Sequence, residues 1–321
     1  MKKAGLMFLL LIIVVKSYCW GFYAHKLINY YAVFLLPPEM MVLYKKNITF
    51  INDHAVDPDK RRYALKEEAP RHYIDMDRYG TPPYRTLPRK WKDAVQCYTE
   101  DSLKAHGIVP WWIQVMLQRL TRAFKEMDQP GILKLSAEIG HYIADSHVPL
   151  HACSNHNGQF TNQRGIHGFW ESRVPELLAE KEWDFLIGRA AYIKDPLDFT
   201  WKRVLESASE ADSVLFLERK LSSGFPSERK YAFETRSGVM ARQYSSEYSI
   251  AYNILLNDMV ERRLRQSIYA VASFWYTAWV NAGRPDLRKL ADKDFSEKEL
   301  KEFDKLNDKW NNEKVKGRDC D

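Results

Sequence analysis

The sequence contains little cysteine. Its 321 residues include four cysteines, at positions 19, 97, 153 and 320. A small secreted fold held by disulfides has far more, and a structural zinc site of the thiolate type needs them clustered. The composition therefore excludes a disulfide framework and a thiolate cluster. One disulfide among Cys97, Cys153 and Cys320 stays open, and the sequence does not choose the pair.

Long apolar runs are also missing after residue 19. Before it, a basic start precedes the apolar stretch 6–15, which is too short to span a bilayer comfortably. Ser17 and Cys19 place small residues at a cleavage position, whereas the bulky tyrosine before Cys19 disfavours lipidation. We expect a signal peptide over 1–19, cleaved between Cys19 and Trp20, and a secreted or periplasmic protein. No later segment predicts a transmembrane helix.

A strong excess of charge of one sign is likewise absent. The net charge is +6, and three of the lysines lie in 1–19 without any acid, so the remainder carries +3. A weakly basic chain gives only slight support for an anionic partner.

Convincing pairs of alternating strands are absent too, and helical spacing dominates instead. Apolar residues recur with helical period over 112–127 and 132–143, and again over 245–282, before Gly283 and Pro285. The pattern predicts an all-α fold with a single multi-helix domain and long connecting loops.

Two segments depart from this helical pattern. The charged, proline-containing stretch 52–80 predicts a loop with short turns. Few large apolar residues follow Pro285, so 285–321 is expected to be a charged, loosely docked C-terminal tail. The domain itself is expected to cover 20–284.

Histidine is absent from the sequence after residue 167. All nine histidines lie from His25 to His167. His141 and Asp145 share one face of a predicted helix, and a break at Pro149 then delivers His151. His167 and Glu171 repeat the spacing of four residues. Imidazole and carboxylate groups on facing helices are typical of a metal site in a helical bundle, and the set suits zinc with a hydrolytic role.

Ordinary structural roles explain some of these residues equally well when each is taken alone. A single histidine and acid four residues apart is more often a surface hydrogen-bond pair. His72 alone is typical of a buried loop histidine, and Asp57 alone of a turn residue. The repeated pairs, together with His151, favour a metal site.

The full ordered set resembles the ligands of a known superfamily of trinuclear zinc phosphodiesterases. Its members are the S1/P1 nucleases and the bacterial zinc-dependent phospholipases C. The resemblance covers nine positions in one order, namely Trp20, His25, Asp57, His72, His141, Asp145, His151, His167 and Glu171. It implies a fold of the phospholipase C/P1 nuclease type and three Zn²⁺ ions per chain.

The resemblance divides these residues among the three ions. The first ion would be held by Asp57, His72, His141 and Asp145. The second would share Asp145 and add His25 with the amino nitrogen and carbonyl oxygen of Trp20. The third would be held by His151, His167 and Glu171. Cleavage directly before Trp20 is then required, because only a free amine is a good ligand.

The implied reaction is hydrolysis of a phosphodiester by a zinc-bridging hydroxide. Asp57 would orient or deprotonate the attacking water, and Asp145 would bridge two metals, so both are candidate catalytic residues. Two close zinc ions lower the pKa of a bound water, and a third stabilises charge on the leaving oxygen.

The two branches of the superfamily divide at particular residues. The short step from Trp20 to His25 and the fifteen-residue step from Asp57 to His72 resemble the nucleases. Glu171 and the short step before His167 resemble the phospholipases. We expect cleavage of single-stranded nucleic acid or nucleotides, with phospholipase C activity on phospholipid head groups as the alternative. A non-catalytic zinc-binding protein is the remoter alternative.

The substrate is expected to be an anionic phosphodiester. Its candidate contacts are Lys60, Tyr73, Asp75 and Asn162. Lys60 would hold a phosphate and Tyr73 would stack on a base, although a solvated basic turn and a cleft wall explain them as well. The sequence does not set the oligomeric state.

Overall fold

The computed structural model describes residues 21–236, 239–290, 295–314 and 316. The predicted signal peptide, Trp20 and Cys320 lie outside the described residues. The helices are α1 Phe22–Val33, α2 Pro38–Tyr44, α3 Ile48–Asp53, α4 Asp57–Arg61, α5 Trp91–Tyr98, α6 Glu100–Ala105, α7 Val109–Glu126, α8 Gln129–Asp145, α9 Ile166–Gly168, α10 Val174–Glu182, α11 Pro196–Gly224, α12 Ser246–Leu255, α13 Met259–Asn281 and α14 Glu297–Asn312. Short 3₁₀ segments are His54–Val56, Ala69–Arg71, Met76–Tyr79, Pro149–Ala152, Ser227–Arg229 and Leu287–Leu290.

Helix α8 lies at the centre of the fold. Its N-terminus is capped by Asp128, whose carboxylate accepts a hydrogen bond from the Gly131 amide at 3.2 Å. The helix is buried on nearly every side, because α1, α7 and α13 pack around it. Ser136 accepts hydrogen bonds at its backbone oxygen from the Trp275 indole. The predicted all-α fold is therefore confirmed, with one largely apolar helix as its core.

The helical pattern over 245–282 forms two helices rather than one. Asn257 and Asp258, with φ of 50° and 56°, separate α12 from α13. Positive φ is incompatible with a continuing α-helix, so the chain turns there. Ser245 caps α12 by accepting a hydrogen bond from the Tyr248 amide at 3.1 Å.

One strand pair corrects the expectation that the chain has none. Strand β1, Tyr231–Arg236, pairs antiparallel with β2, Val239–Tyr244. The hairpin is anchored to the domain by Arg173, which donates to Glu234 at 2.8 Å and to the Tyr244 carbonyl at 3.0 Å. Because both strands are short and isolated, their alternation gives too weak a signal to be recognised in the sequence.

The C-terminal segment contains helix α14, which begins with a capping box at Ser296. Phe303 packs against Phe50 and His54, and Trp310 lies 5.5 Å from the Phe22 ring. These contacts join α14 to the part of the domain that includes α1 and α3. The division at residue 284 and the loose docking of the tail stay predictions.

None of the described helices is long and apolar enough to cross a membrane. The structure describes Cys97 as exposed and Cys153 as half-buried, and there is no disulfide between these two described cysteines.

Candidate metal centre

Helix α8 carries His141 and Asp145 into the core, one turn apart. Both side chains are fully buried. Gly140 permits the close approach of α1, since a Cβ there would lie 2.1 Å from the Asn29 side-chain oxygen. This approach brings His25, one turn before Asn29, onto His141, and the two rings stack with centroids 3.7 Å apart.

The first group of potential ligands consists of His25, His141 and Asp145. Their ligand atoms lie within 4.8 Å of one another. His25 Nε2 lies 3.4 Å from Asp145 Oδ1, and His141 Nε2 lies 3.4 Å from Asp145 Oδ2.

The second group consists of Asp59, His72 and His141. Asp59 Oδ1 lies 3.6 Å from His141 Nε2 and 3.8 Å from His72 Nδ1. His72 Nδ1 also lies 3.0 Å from Asp145 Oδ2, so Asp145 borders this group as well as the first.

The third group consists of His151, His167 and Glu171. The Pro149–Ala152 turn after α8 presents His151, whereas His167 lies in α9. Glu171 follows in the π-helical segment Phe169–Arg173. His167 Nε2 lies 3.1 Å from Glu171 Oε2, and His151 Nε2 lies 3.6 Å from the same oxygen.

Asp145 connects the three groups. Its Oδ1 faces His25 at 3.4 Å and His151 at 3.8 Å, while its Oδ2 faces His72 and His141. One buried carboxylate therefore has a histidine of every group around it.

Backbone carbonyls fix the orientation of three imidazoles. The Nδ1 atoms of His141, His151 and His167 lie 2.9, 2.7 and 3.0 Å from the carbonyl oxygens of residues 55, 72 and 156. Because a carbonyl only accepts, each Nδ1 carries a proton, and in the neutral ring Nε2 then presents a lone pair. This is the tautomer that binds a metal through Nε2.

The lone pairs of His151 and His167 point at each other, and that of His141 points at a ring nitrogen of His72. The two Nε2 atoms of His151 and His167 are 3.2 Å apart, and His141 Nε2 is 3.1 Å from His72 Nδ1. Facing lone pairs at such distances repel unless a proton or a metal ion lies between them. The arrangement fits bound cations.

The carboxylates give the same indication. Both oxygens of Asp59 and Oδ1 of Asp145 are buried without a hydrogen-bond donor among the described residues. A buried carboxylate normally has such donors, and a metal ion can replace them. The residues present therefore fit metal ions, and none of the ligand atoms is a thiolate.

The pKa values favour deprotonated ligands in part of the centre. Burial, together with the neighbouring His141, lowers the pKa of His25 to about 4. Burial also lowers the pKa of His141, but the charges of Asp145 and Asp59 outweigh this and raise it to about 8. Burial raises the pKa of both aspartates, yet the surrounding imidazoles bring each below its usual range. Metal binding must therefore displace a proton from His141 at neutral pH.

Asp57 lies outside these groups. It accepts hydrogen bonds from His54 at 2.6 Å and from Lys60 at 3.2 Å. Residues two apart on a helix point in nearly opposite directions, so Asp57 and Asp59 face different sides of α4. Asp59 lies beside His72 and His141, the position that the resemblance assigned to Asp57. The role of Asp57 as a ligand stays a prediction.

The candidate substrate contacts are dispersed. Lys60 donates to Asn307 of α14 at 2.8 Å, and Asn162 is exposed in a turn with φ of 58°. Asp75 is buried. Tyr73 lines a small cavity next to the metal groups, together with His72, His151, His167, His156 and Arg62.

Sequence reasoning missed Asp59 as a potential ligand, and Arg62 is not among its candidate substrate contacts. The two lie three residues apart and share one face of α4 and its continuation, with Arg62 Nη1 3.8 Å from Asp59 Oδ1. Helical spacing from Asp59 to Arg62 was the available signal, because a cation on the ligand's own face lies near the site.

Trp20, the predicted N-terminal ligand, lies outside the described residues, but its neighbour Gly21 is described. Gly21 lies so close to Ser172 that a Cβ at Gly21 would be 2.5 Å from the Ser172 hydroxyl oxygen. Ser172 follows Glu171, so the chain enters α1 directly against the segment that carries the third group.

Removal of metal is expected to lower the unfolding temperature by about 10 °C. A metal present at about a thousand times its dissociation constant contributes about 4 kcal/mol, and without it the lone pairs and carboxylates above lose their partner. Differential scanning calorimetry with and without a chelator measures the shift. Zinc should restore the transition and magnesium should not; an unchanged transition after complete chelation would contradict a resident metal.

No protein-family model matches the chain, and no curated protein matches it either.

Proposed function

We propose that the protein is a zinc-dependent phosphodiesterase that resembles the S1/P1 nucleases and cleaves single-stranded nucleic acid or nucleotides. The observation that carries the proposal is the convergence of three ligand groups on Asp145. An ordinary structural ion pair has no need for five imidazoles around two buried aspartates.

The donor set supports zinc. The groups offer imidazole nitrogens and carboxylate oxygens, which zinc binds in hydrolytic enzymes. Three ions per chain would correspond to the three groups, with the amine of Trp20 completing the site of His25. This requires a mature chain that begins at Trp20, and therefore a secreted or periplasmic protein.

The chemistry that zinc supplies is acidification of a bound water and stabilisation of a developing negative charge. The chain supplies the rest. Arg62, which lines the small cavity beside the groups, would bind a non-bridging phosphate oxygen, as a guanidinium does well. The burial of Asp59 and Asp145 keeps competing solvent from the ligands. Together these features suit an anionic diester.

Two features favour nucleic acid over phospholipid as the substrate. Tyr73, which lines the same small cavity, would contact a base with its ring. The short step from Trp20 to His25 also favours the nuclease branch. Counting from Asp59, however, the step to His72 is thirteen residues instead of fifteen, and that argument for a nuclease is lost.

Phospholipase C activity is the second candidate, and Glu171 favours it. This glutamate belongs to the third group of potential ligands, and the nucleases usually have aspartate at the corresponding position. A phospholipid head group is attached through the same kind of phosphodiester.

The zinc-loaded protein is expected to release nucleotides from single-stranded DNA or RNA faster than it releases phosphocholine from lecithin. Acid-soluble nucleotide and phosphocholine are measured on one preparation, with zinc content determined in parallel. The chelated protein is the control and should be inactive on both substrates.

Each other outcome has a defined meaning. Release of phosphocholine alone would transfer the proposal to the phospholipase branch. A protein that holds fewer than two zinc ions after careful purification, or holds three but cleaves neither substrate, would refute the enzymatic proposal.

A further inference from the structure

Glu68 is a fully buried carboxylate behind the metal centre. It lies four residues before His72, and its Oε1 is 3.7 Å from His72 Nε2. It belongs to none of the three ligand groups. A charge in this position requires partners and a reason for its burial.

The partners of Glu68 hold it in one orientation. Arg71 donates to Oε2 at 2.6 Å and Arg61 donates to the same oxygen at 3.2 Å. The Tyr142 hydroxyl donates to Oε1 by a short hydrogen bond. Arg71 in turn lies over the Trp112 ring at 4.0 Å. With both oxygens engaged, the carboxylate cannot rotate away from His72.

His72 differs from the other ligand histidines. Its Nδ1 faces the metal groups, at 3.0 Å from Asp145 and 3.1 Å from His141 Nε2. Its Nε2 is buried and has no hydrogen-bond partner among the described residues. No backbone carbonyl therefore fixes its tautomer from behind, as one does for His141, His151 and His167.

The tautomer of His72 decides whether it can bind a metal. With the proton on Nδ1, the ring would donate to Asp145 and offer no lone pair to the centre. With the proton on Nε2, the lone pair of Nδ1 faces the centre. A fixed negative charge behind Nε2 favours the second state.

We propose that Glu68 is a positioning residue that holds the His72 imidazole as the Nε2–H tautomer, with Nδ1 directed to the metal. This inference rests on the proposed metal centre. Glu68 would act on His72 as the carbonyl oxygens act on the other three histidines, through charge at a slightly longer distance.

The test is zinc affinity in Glu68→Gln, measured by competition with a chelating dye. The affinity of the weakest site is expected to fall about tenfold to a hundredfold, as it does when an outer partner of a metal-bound histidine is removed. The matched control is Glu138→Gln. Glu138 is buried and accepts from Arg61 at 2.8 Å, so it belongs to the same ionic network but does not contact His72.

The control separates positioning from stability. Glu138→Gln should lose stability like Glu68→Gln yet keep zinc affinity within about threefold of wild type. Equal affinities in all three proteins, or equal losses in both variants, would overturn the inference while leaving the metal centre intact. A wild-type protein that binds no zinc would overturn both proposals.

A second measurement does not depend on the variant folding. The ¹⁵N shifts of the His72 ring in the zinc-free wild-type protein should report Nε2–H. A ring protonated on Nδ1 alone would overturn the role of Glu68.

Discussion

Asp145→Asn is expected to reduce phosphodiesterase activity by at least about a hundredfold and to remove zinc from more than one site. The substitution keeps the shape of the side chain, but it removes the negative charge and replaces one carboxylate oxygen by an amide nitrogen, which is not a metal ligand. Because Asp145 borders all three groups, with contacts of 3.0 to 3.8 Å to four histidines, the loss should not be confined to one ion. Zinc content and turnover are measured on the same purified variant.

Glu138→Gln is the matched control here as well. It lies on the same buried helix and removes the same charge, but outside the ligand groups. Near-normal turnover with a full zinc content in Asp145→Asn would refute the bridging role. An equal loss in Glu138→Gln would assign the effect to α8 rather than to the centre.

Asp59→Asn and Asp57→Asn are expected to differ sharply in zinc content and in activity. Asp59 has two buried oxygens without hydrogen-bond donors and lies within reach of His72 and His141, so its loss should remove one zinc and about a hundredfold of activity. Asp57 already accepts from His54 and Lys60. Its replacement should keep the zinc content and cost about tenfold or less in activity.

The pair of variants tests the two assignments directly. If Asp57→Asn loses zinc while Asp59→Asn keeps its full zinc content, Asp57 is the ligand, as the sequence spacing predicted. Zinc analysis distinguishes the outcomes even where both variants lose activity.

The sequence predicts the helical framework of the site well, for a physical reason. Ligands placed by regular helix geometry, such as His141 and Asp145, have a fixed relative orientation once the helix is recognised. The structure brings them together with His25 and, separately, His151 with His167 and Glu171. In these cases the helical spacing of the residues in the sequence is enough to predict that their side chains lie together.

Irregular backbone limits the same reasoning. Between α3 and His72 the chain passes through short 3₁₀ turns and the five-residue helix α4, so sequence spacing does not determine which acid faces inward. Asp57 and Asp59 are chemically equivalent in the sequence and differ only in direction. Glu68 was overlooked for a related reason, since its role depends on a neighbour's ring nitrogen rather than on a motif.

The tail illustrates a different limit. Composition describes 285–321 as charged, and Lys/Glu-rich sequence is typical both of disorder and of an exposed helix. Phe303 and Trp310 favour a docked helix over disorder, but only once the structure shows that they pack against Phe50 and Phe22.

The distance along the chain between the ligands has a consequence for folding kinetics. His72 and Asp145 are separated by 73 residues, and His72 and His141 by 69. Contacts of such high order close large loops and form late, after the local helices. A nascent or half-folded chain thus has isolated histidines but no complete site. The complete set of potential ligands is therefore present only in a chain whose helices have already docked, and a metal ion bound there would report a finished fold.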